Sequence, residues 1–471
     1  MMKRILTILI FTSLTLTTFA QFGSSGTVEA RSMGMAKTYN AISKGIFAIG
    51  INPANLVADE NNIEFSTVLP LPDVSVKTGT NFLSIKDFNY YFGGENGKAR
   101  LLTEADKQNF NSLFENGGLI FGNATTNLFS FKFKPANLIG AFAFSITDFA
   151  GAKANIPQAL ADFALTGNTI DKVYNLDHAN VKAWWIRNYS LTYARDLNFI
   201  KQSIFENLSA GLSIKLVHGY SYVGTERVNT SLQTNSNAEI SGSSNMLAYT
   251  AFSEQLGVQY DFDSTETHAN FSPFPQPAGS GIGFDLGVNL KLNRKISFSV
   301  ALTDIGKINW NKNAAEFSSF GSIYVDSFSD QDQIDSLQDK IKGSGQYINS
   351  FSTSLPTAFR FGSSLLLDDQ NDIIPGTLLL AFDFNQGFNE LPGNTLRSRF
   401  SVGSEWKPGN WIPYIRTGFS VGGVDGFNWA FGLGADAGIV EFNFATSDMQ
   451  VVVAPNSAKY ISVAFGSRWK L

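Results

Sequence analysis

The only imidazoles in the chain are His178, His218 and His268, and they lie far apart, without paired ligand spacing. Zinc sites and nucleophilic triads need a second ligand or an orienting partner at a fixed offset, so neither is indicated, and no metal site is expected. Two acidic clusters, Asp330, Asp332, Asp335 and Asp368, Asp369, Asp372, carry the oxygen ligands that Ca²⁺ takes. Neither has the glycine-turn loop of an EF-hand, and solvated loop faces are the simpler reading. "GSGIG" and "GLGADAG" put their glycines on strand faces rather than at a strand-to-helix turn. With no Walker motif and no G-x-S-x-G, neither phosphate cradling nor acyl transfer is signalled, and the chain reads as no enzyme and as needing no cofactor.

Composition narrows the class of protein. The first twenty residues, "MMKRILTILIFTSLTLTTFA", place Lys3 and Arg4 before an apolar run and end on Thr18 and Ala20. This is the pattern of a cleaved secretory signal at residues 1–20; the run is short and Thr-rich for a membrane anchor. The absence of cysteine excludes both acylation at cysteine and a disulfide-stapled secreted fold. Forty-two Phe and 42 Gly stand beside only 16% charged residues. The mean hydropathy is −0.02, and no later run is long and apolar enough for a spanning helix. The net charge of −5 grows more negative when Lys3 and Arg4 are removed, which argues against nucleic acid as a partner.

Alternation supplies the elements. In "GIGFDLGVNLKLN", Ile282, Phe284, Leu286, Val288, Leu290 and Leu292 alternate with Gly283, Asp285, Gly287, Asn289, Lys291 and Asn293. "RFSVGSEWK" repeats the pattern with Phe400, Val402 and Trp406, and "FNWAFGLGADAG" with Phe427, Trp429, Phe431 and Leu433. Long strands with one wholly apolar face suit lipid contact, whereas β-sandwich strands usually run about 5 or 6 residues. Connections alternate in length. Short links fall after Lys132 and at Asn293–Lys295, Asp368–Pro375, Pro408–Asn410 and before Gly438; long links fall near 86–117, 149–182, 224–280 and 310–356. The expected fold is therefore all-β: a transmembrane antiparallel β-barrel of about 14 strands over residues 60–471, with both termini on the short-turn side.

Local signals refine this outline. Thr103 reads as the N-cap of a helix stopping at Gly117-Gly118, Pro157 as the start of a second helix, and "DQDQIDSLQDKIKGSG" as a third ending at Gly343. "TSLQTNSNAEISGSSN", from Thr230, reads as polar loop. Trp184, Trp406, Trp411, Trp429 and Trp469 are candidates for the aromatic girdle at the membrane interface. The chain ends in "YISVAFGSRWKL", an amphipathic strand similar to the signal read by the barrel-assembly machinery, although it closes on Leu471 rather than an aromatic.

A barrel of this size leaves a lumen to be filled. Residues 21–59 precede the first strand, start on the short-turn side and are rich in small residues, which makes them the natural hatch plugging that lumen. Asn52-Pro53 imposes a turn that a helix does not pass. "EARSMGMAKTYNAISKGIFAIGINPANL" resembles the N-terminal hatch of the FadL-type superfamily of outer-membrane barrels, through Arg31, Met33, Gly34, Met35 and Ala36 and the Asn-Pro-Ala turn of Asn52, Pro53 and Ala54. "NYSLTYARDL", Asn188 to Leu197, is similar to a strand of a branch of that superfamily without a settled activity. The hatch departs from the superfamily in carrying Lys37 and Lys44.

The resemblance implies residence in a bacterial outer membrane, contact with outer-membrane lipid, and the eight named hatch residues as a ligand gate. The superfamily's commonest activity implies passage or binding of a small hydrophobic compound. Its PorV-type members imply the alternative of a secretion or assembly accessory that docks protein partners through its outer loops. A sealed structural barrel is the third reading, because one fold hosts many functions.

Overall fold

The computed structural model describes residues 29–94, 100–136, 139–167, 169–197, 204–237, 239–260, 274–326, 343–368, 374–409 and 411–471, with isolated positions between them. The signal segment, His268, Asp330, Asp332, Asp369 and Asp372 lie outside the described residues, as does most of the expected helix before Gly343.

Fourteen antiparallel strands close into a transmembrane barrel. The first, β1, runs Ile63–Thr67 and, after an excursion at 68–72, Asp73–Thr80. It is followed by β2 (Gly118–Ala136), β3 (Gly140–Ile156), β4 (Asn180–Asp196) and β5 (Asn207–Val228). Next come β6 (Gly279–Lys291), β7 (Ile296–Trp310), β8 (Phe351–Ser354 and Ala358–Leu367) and β9 (Thr377–Gly387). The set is completed by β10 (Arg399–Lys407), β11 (Tyr414–Gly422), β12 (Gly426–Asp436), β13 (Val440–Thr446) and β14 (Tyr460–Lys470). Each pairs with its chain neighbour, and β14 closes the ring on β1 through Phe65↔Trp469 and Val76↔Val463. Closure removes the free edges that an open sheet would leave unsatisfied in lipid.

The period of two places side chains as the alternation requires. On β6, Leu286 is 49% exposed while its neighbour Asp285 is 0% exposed, and the same division of apolar outside from small or polar inside recurs on β10 and β12. No helix among the described residues is long and apolar enough to cross a membrane.

The long links carry structure of their own. Helix α1 (Ala30–Gly34) lies within the barrel, whereas α2 (Ile85–Phe92), α3 (Glu104–Ser112) and α4 (Gln158–Thr166) belong to the outer links. Thr103 caps α3 in a reciprocal capping box with Asp106, and Pro157 is the N-cap of α4. The segment from Thr230 departs from the loop reading. It forms a hairpin of Ser231–Thr234 and Ile240–Phe252, the second strand pairing with the outer part of β5 and with Ala315–Val325. Its hydroxyl and amide side chains give no apolar alternation, although Ser244, Thr250 and Ala251 are buried and Ala251 joins the apolar cluster at the barrel mouth.

Candidate functional site: the filled lumen and its outer vestibule

The segment preceding β1 occupies the barrel interior, and its backbone fits there because the strands facing it carry glycine. A Cβ on Gly34 would stand 2.9 Å from the Cα of Gly432 on β12, and one on Gly211 of β5 would stand 2.4 Å from the carbonyl carbon of Pro53. Arg31, Met33, Gly34, Met35 and Ala36 are brought together by α1 and the turn after it, against β10 to β14. Asn52, Pro53 and Ala54 lie against another wall, built by β4, β5 and β6. The Asn52 side chain accepts from Ala54 N at 3.0 Å and donates to Ser299 Oγ, so the turn is capped and tied to β7 at once.

Charged groups from the barrel wall hold this segment. Arg31 forms a bidentate pair with Glu405, Nε–Oε2 2.7 Å and Nη2–Oε1 2.8 Å, and Glu405 Oε2 also accepts from Arg416 Nε at 2.6 Å. Asp383 Oδ2 accepts from the backbone N–H of Tyr39 at 2.7 Å and of Asn40 at 2.8 Å. Glu64 accepts from Ile46 N at 2.9 Å, and Asp59 lies 3.3 Å from Arg468, which pairs with Glu441 at 2.6 Å. Charge-assisted bonds of this kind are the stronger members of their class and satisfy groups that water cannot reach. Burial pushes the Glu29 carboxyl up to about 7 and the Lys37 amine down to about 7.

The alternation alone did not single out these wall residues. A usable signal exists in the register: Glu405 directly faces Arg416 across the β10–β11 hairpin, and Glu441 faces Arg468 across β13 and β14. Opposite charges at matched inward positions mark a lumenal pair.

Toward the outer end, Trp184, Trp310, Tyr222, Phe149 and Phe351 form an interior apolar cluster, with Trp310 Nε1 donating to Thr353 Oγ1 at 2.7 Å. This corrects the girdle assignment of Trp184, which is 3% exposed because it faces this cluster rather than lipid. The remaining girdle candidates sit differently: Trp411 is 99% exposed, Trp469 stacks on Phe65, Trp406 donates to Pro375 O and Trp429 to Thr417 Oγ1.

Three spaces lie in file along the inner face of β1, β2 and β3. An outer vestibule of about 510 Å³ is lined by Asn81, Leu119, Lys153 and Asn155 of this wall and by Lys182, Glu226, Arg227, Glu390 and Arg397 across from it. Below it, a void of about 30 Å³ touches Lys77, Phe121, Asn123, Phe149 and, from the inner segment, Met33 and Lys37. Deeper still, a cavity of about 50 Å³ has a wall of Asp73, Asn127, Ser130, Ser145 and Thr147 opposite Ile46, Phe47, Ile49 and Ile51 of the inner segment. Helix α1 stands between the last two, presenting Met33 to one while its cap Glu29 lines the other.

Comparison with known proteins follows from this architecture. No curated protein matches the chain. Among solved structures it is similar to the toluene transporter TodX of P. putida, at 11% identity over 93% of this chain and 96% of that one, with a TM-score of 0.44. It is also similar to a FadL homologue from Pseudomonas aeruginosa, at 12% identity over 96% and 100%, with a TM-score of 0.47. A family profile described as "Family of unknown function" matches residues 53–448, most of the length, and the chain belongs to that family, DUF5723.

Proposed function

We propose that this protein is an outer-membrane channel, closed in the state described by its own N-terminal segment, which binds or passes a small compound bearing a hydrophobic group. The observation that carries this reading is the file of three spaces beside β1 to β3, interrupted by side chains and by α1. A sealed structural barrel has no need of such a file. The barrel wall offers mainly hydroxyls, amides and charges, so the apolar surface available to a solute in the deepest cavity is that of Ile46, Phe47, Ile49 and Ile51. Residues 21–59 act as the hatch, and Arg31, Met33, Gly34, Met35, Ala36, Asn52, Pro53 and Ala54 form the gate that must shift.

In this reading the leader at 1–20 is cleaved on export, and β14 serves as the signal to the barrel-assembly machinery. Trp406, Trp411, Trp429 and Trp469 anchor the barrel in the membrane interface. The test is ion conductance in planar bilayers together with efflux of a small aromatic probe from liposomes, for the wild type and for a deletion of residues 21–59. The wild type should be nearly closed, and the deletion should raise both readouts at least tenfold. A folded deletion variant as impermeable as the wild type would sink the channel reading.

A further inference from the structure

The outer vestibule has a charge pattern that the closed lumen below it does not explain. Lys153 is paired with Glu390, which also accepts from Thr395 Oγ1 and from Leu396 N, both at 2.8 Å. Lys182 lies 3.3 Å from Glu226, which accepts from the Tyr222 hydroxyl at 2.8 Å. Both carboxylates are thus engaged by cations and hydrogen-bond donors that belong to the protein. Two guanidiniums line the same space, Arg227 from a bulge near the outer end of β5 and Arg397 from the link before β10. Neither makes an ion pair or side-chain hydrogen bond with a described residue. Among the described residues the vestibule therefore carries two positive charges in excess of its pairs.

From this we infer that the vestibule is a binding site for a small soluble phosphate monoester on a polyol, with Arg227 and Arg397 as its direct contacts. A phosphate monoester is close to a dianion at neutral pH, which matches the two unneutralised charges. Guanidinium presents a planar fork of donors suited to phosphate oxygens. The side-chain amides of Asn116 and Asn229 also line the space without hydrogen bonds to described residues, and supply donors and acceptors for hydroxyl groups. A volume of about 510 Å³ falls within the range of small-molecule sites. Lipid phosphates in the surrounding leaflet share this chemistry, but the vestibule is walled by strand ends and by links from several sides of the barrel mouth, which favours a solute arriving from water.

The site goes beyond the channel reading, since binding at the mouth does not require the lumen to open. Equilibrium dialysis of the purified full-length protein in detergent, with radiolabelled glucose 6-phosphate and with glucose, measures mouth occupancy and not passage. Glucose 6-phosphate should bind saturably and more weakly as salt rises, and glucose should not bind. Arg227→Gln and Arg397→Gln should each weaken binding at least tenfold, with heat-modifiable gel mobility showing that the barrel remains folded. Equal binding of the two sugars, no binding of either, or unchanged affinity in both variants overturns the inference. So does binding of a phosphorylated glycolipid micelle where glucose 6-phosphate fails.

Discussion

Arg31 and Glu405 meet in a buried bidentate ion pair although 374 residues separate them in sequence. The pair ties α1, the element standing between two of the lumenal cavities, to β10 of the wall. Glu405 is also held by Arg416, so removing Arg31 leaves the carboxylate compensated, whereas removing Glu405 strands two guanidiniums. Breaking a buried pair from one side costs about 3–5 kcal/mol when the remaining charge is uncompensated. Arg31→Ala is expected to destabilise by less than Glu405→Ala, by at least ~1 kcal/mol, and yet to raise bilayer conductance. Urea unfolding of both variants beside single-channel recording checks the ordering. Equal stability losses would show that Arg416 does not share the carboxylate.

A second prediction concerns the backbone contact between β6 and the Asn-Pro turn. A Cβ at Gly287 would stand 1.9 Å from Asn52 Oδ1 and 2.9 Å from Pro53 Cδ, and the close contact is with a capped turn that has little room to yield. Gly287→Val should therefore expel the turn while leaving the barrel ladder intact, because valine suits a strand. Amide exchange in residues 52–58 should accelerate at least tenfold, with exchange on β6 unchanged. Protection of that turn at the wild-type level would show that the segment is held elsewhere.

The barrel was legible in the sequence because lipid and lumen impose opposite demands on adjacent residues, as Leu286 and Asp285 show. Strand number and turn sides followed from link lengths, which the topology repeats. Trp184 was misread for a definite reason. It is followed by Trp185, adjacent residues of a strand face opposite ways, and a bulge in the β4–β5 pairing falls beside them, so parity there does not say which ring turns inward. The Ser231–Phe252 hairpin was hidden because its faces differ little in polarity. Small residues suggested that residues 21–59 fill the lumen, but which charges would hold them depends on register between strands.

The corrected tryptophan assignment predicts a division in fluorescence quenching. In single-Trp variants, brominated lipid should quench Trp406, Trp411, Trp429 and Trp469, and aqueous iodide should reach Trp411 as well, because it is 99% exposed. Trp184 and Trp310 should resist both, since each lies in the interior aromatic cluster. Trp310→Phe should further cost about 1 kcal/mol for the bond to Thr353, more if that hydroxyl is left unsatisfied. Strong quenching of Trp184 by brominated lipid would restore it to the girdle.

The last prediction concerns pH and the anchoring of the inner segment. Glu29 is raised from 4.5 to about 7, so the folded segment binds the extra proton between those values and its hold weakens as pH rises through that window. Lys37 is lowered from 10.5 to about 7, so the released segment binds the extra proton between 7 and 10.5, and the hold strengthens as pH rises through that window. Together the two groups place the weakest anchoring near neutral pH, with tighter packing on either side. Both shifts arise from burial, so each limb disappears when its group is replaced by a neutral side chain. Opening free energies from amide exchange across residues 30–58, corrected for the intrinsic rate, should pass through a minimum near pH 7. Glu29→Gln should flatten the acid limb alone, and Lys37→Met the alkaline limb alone. A wild-type profile that rises or falls monotonically, unchanged in both variants, would show that the wall charges rather than these two buried groups set the anchoring.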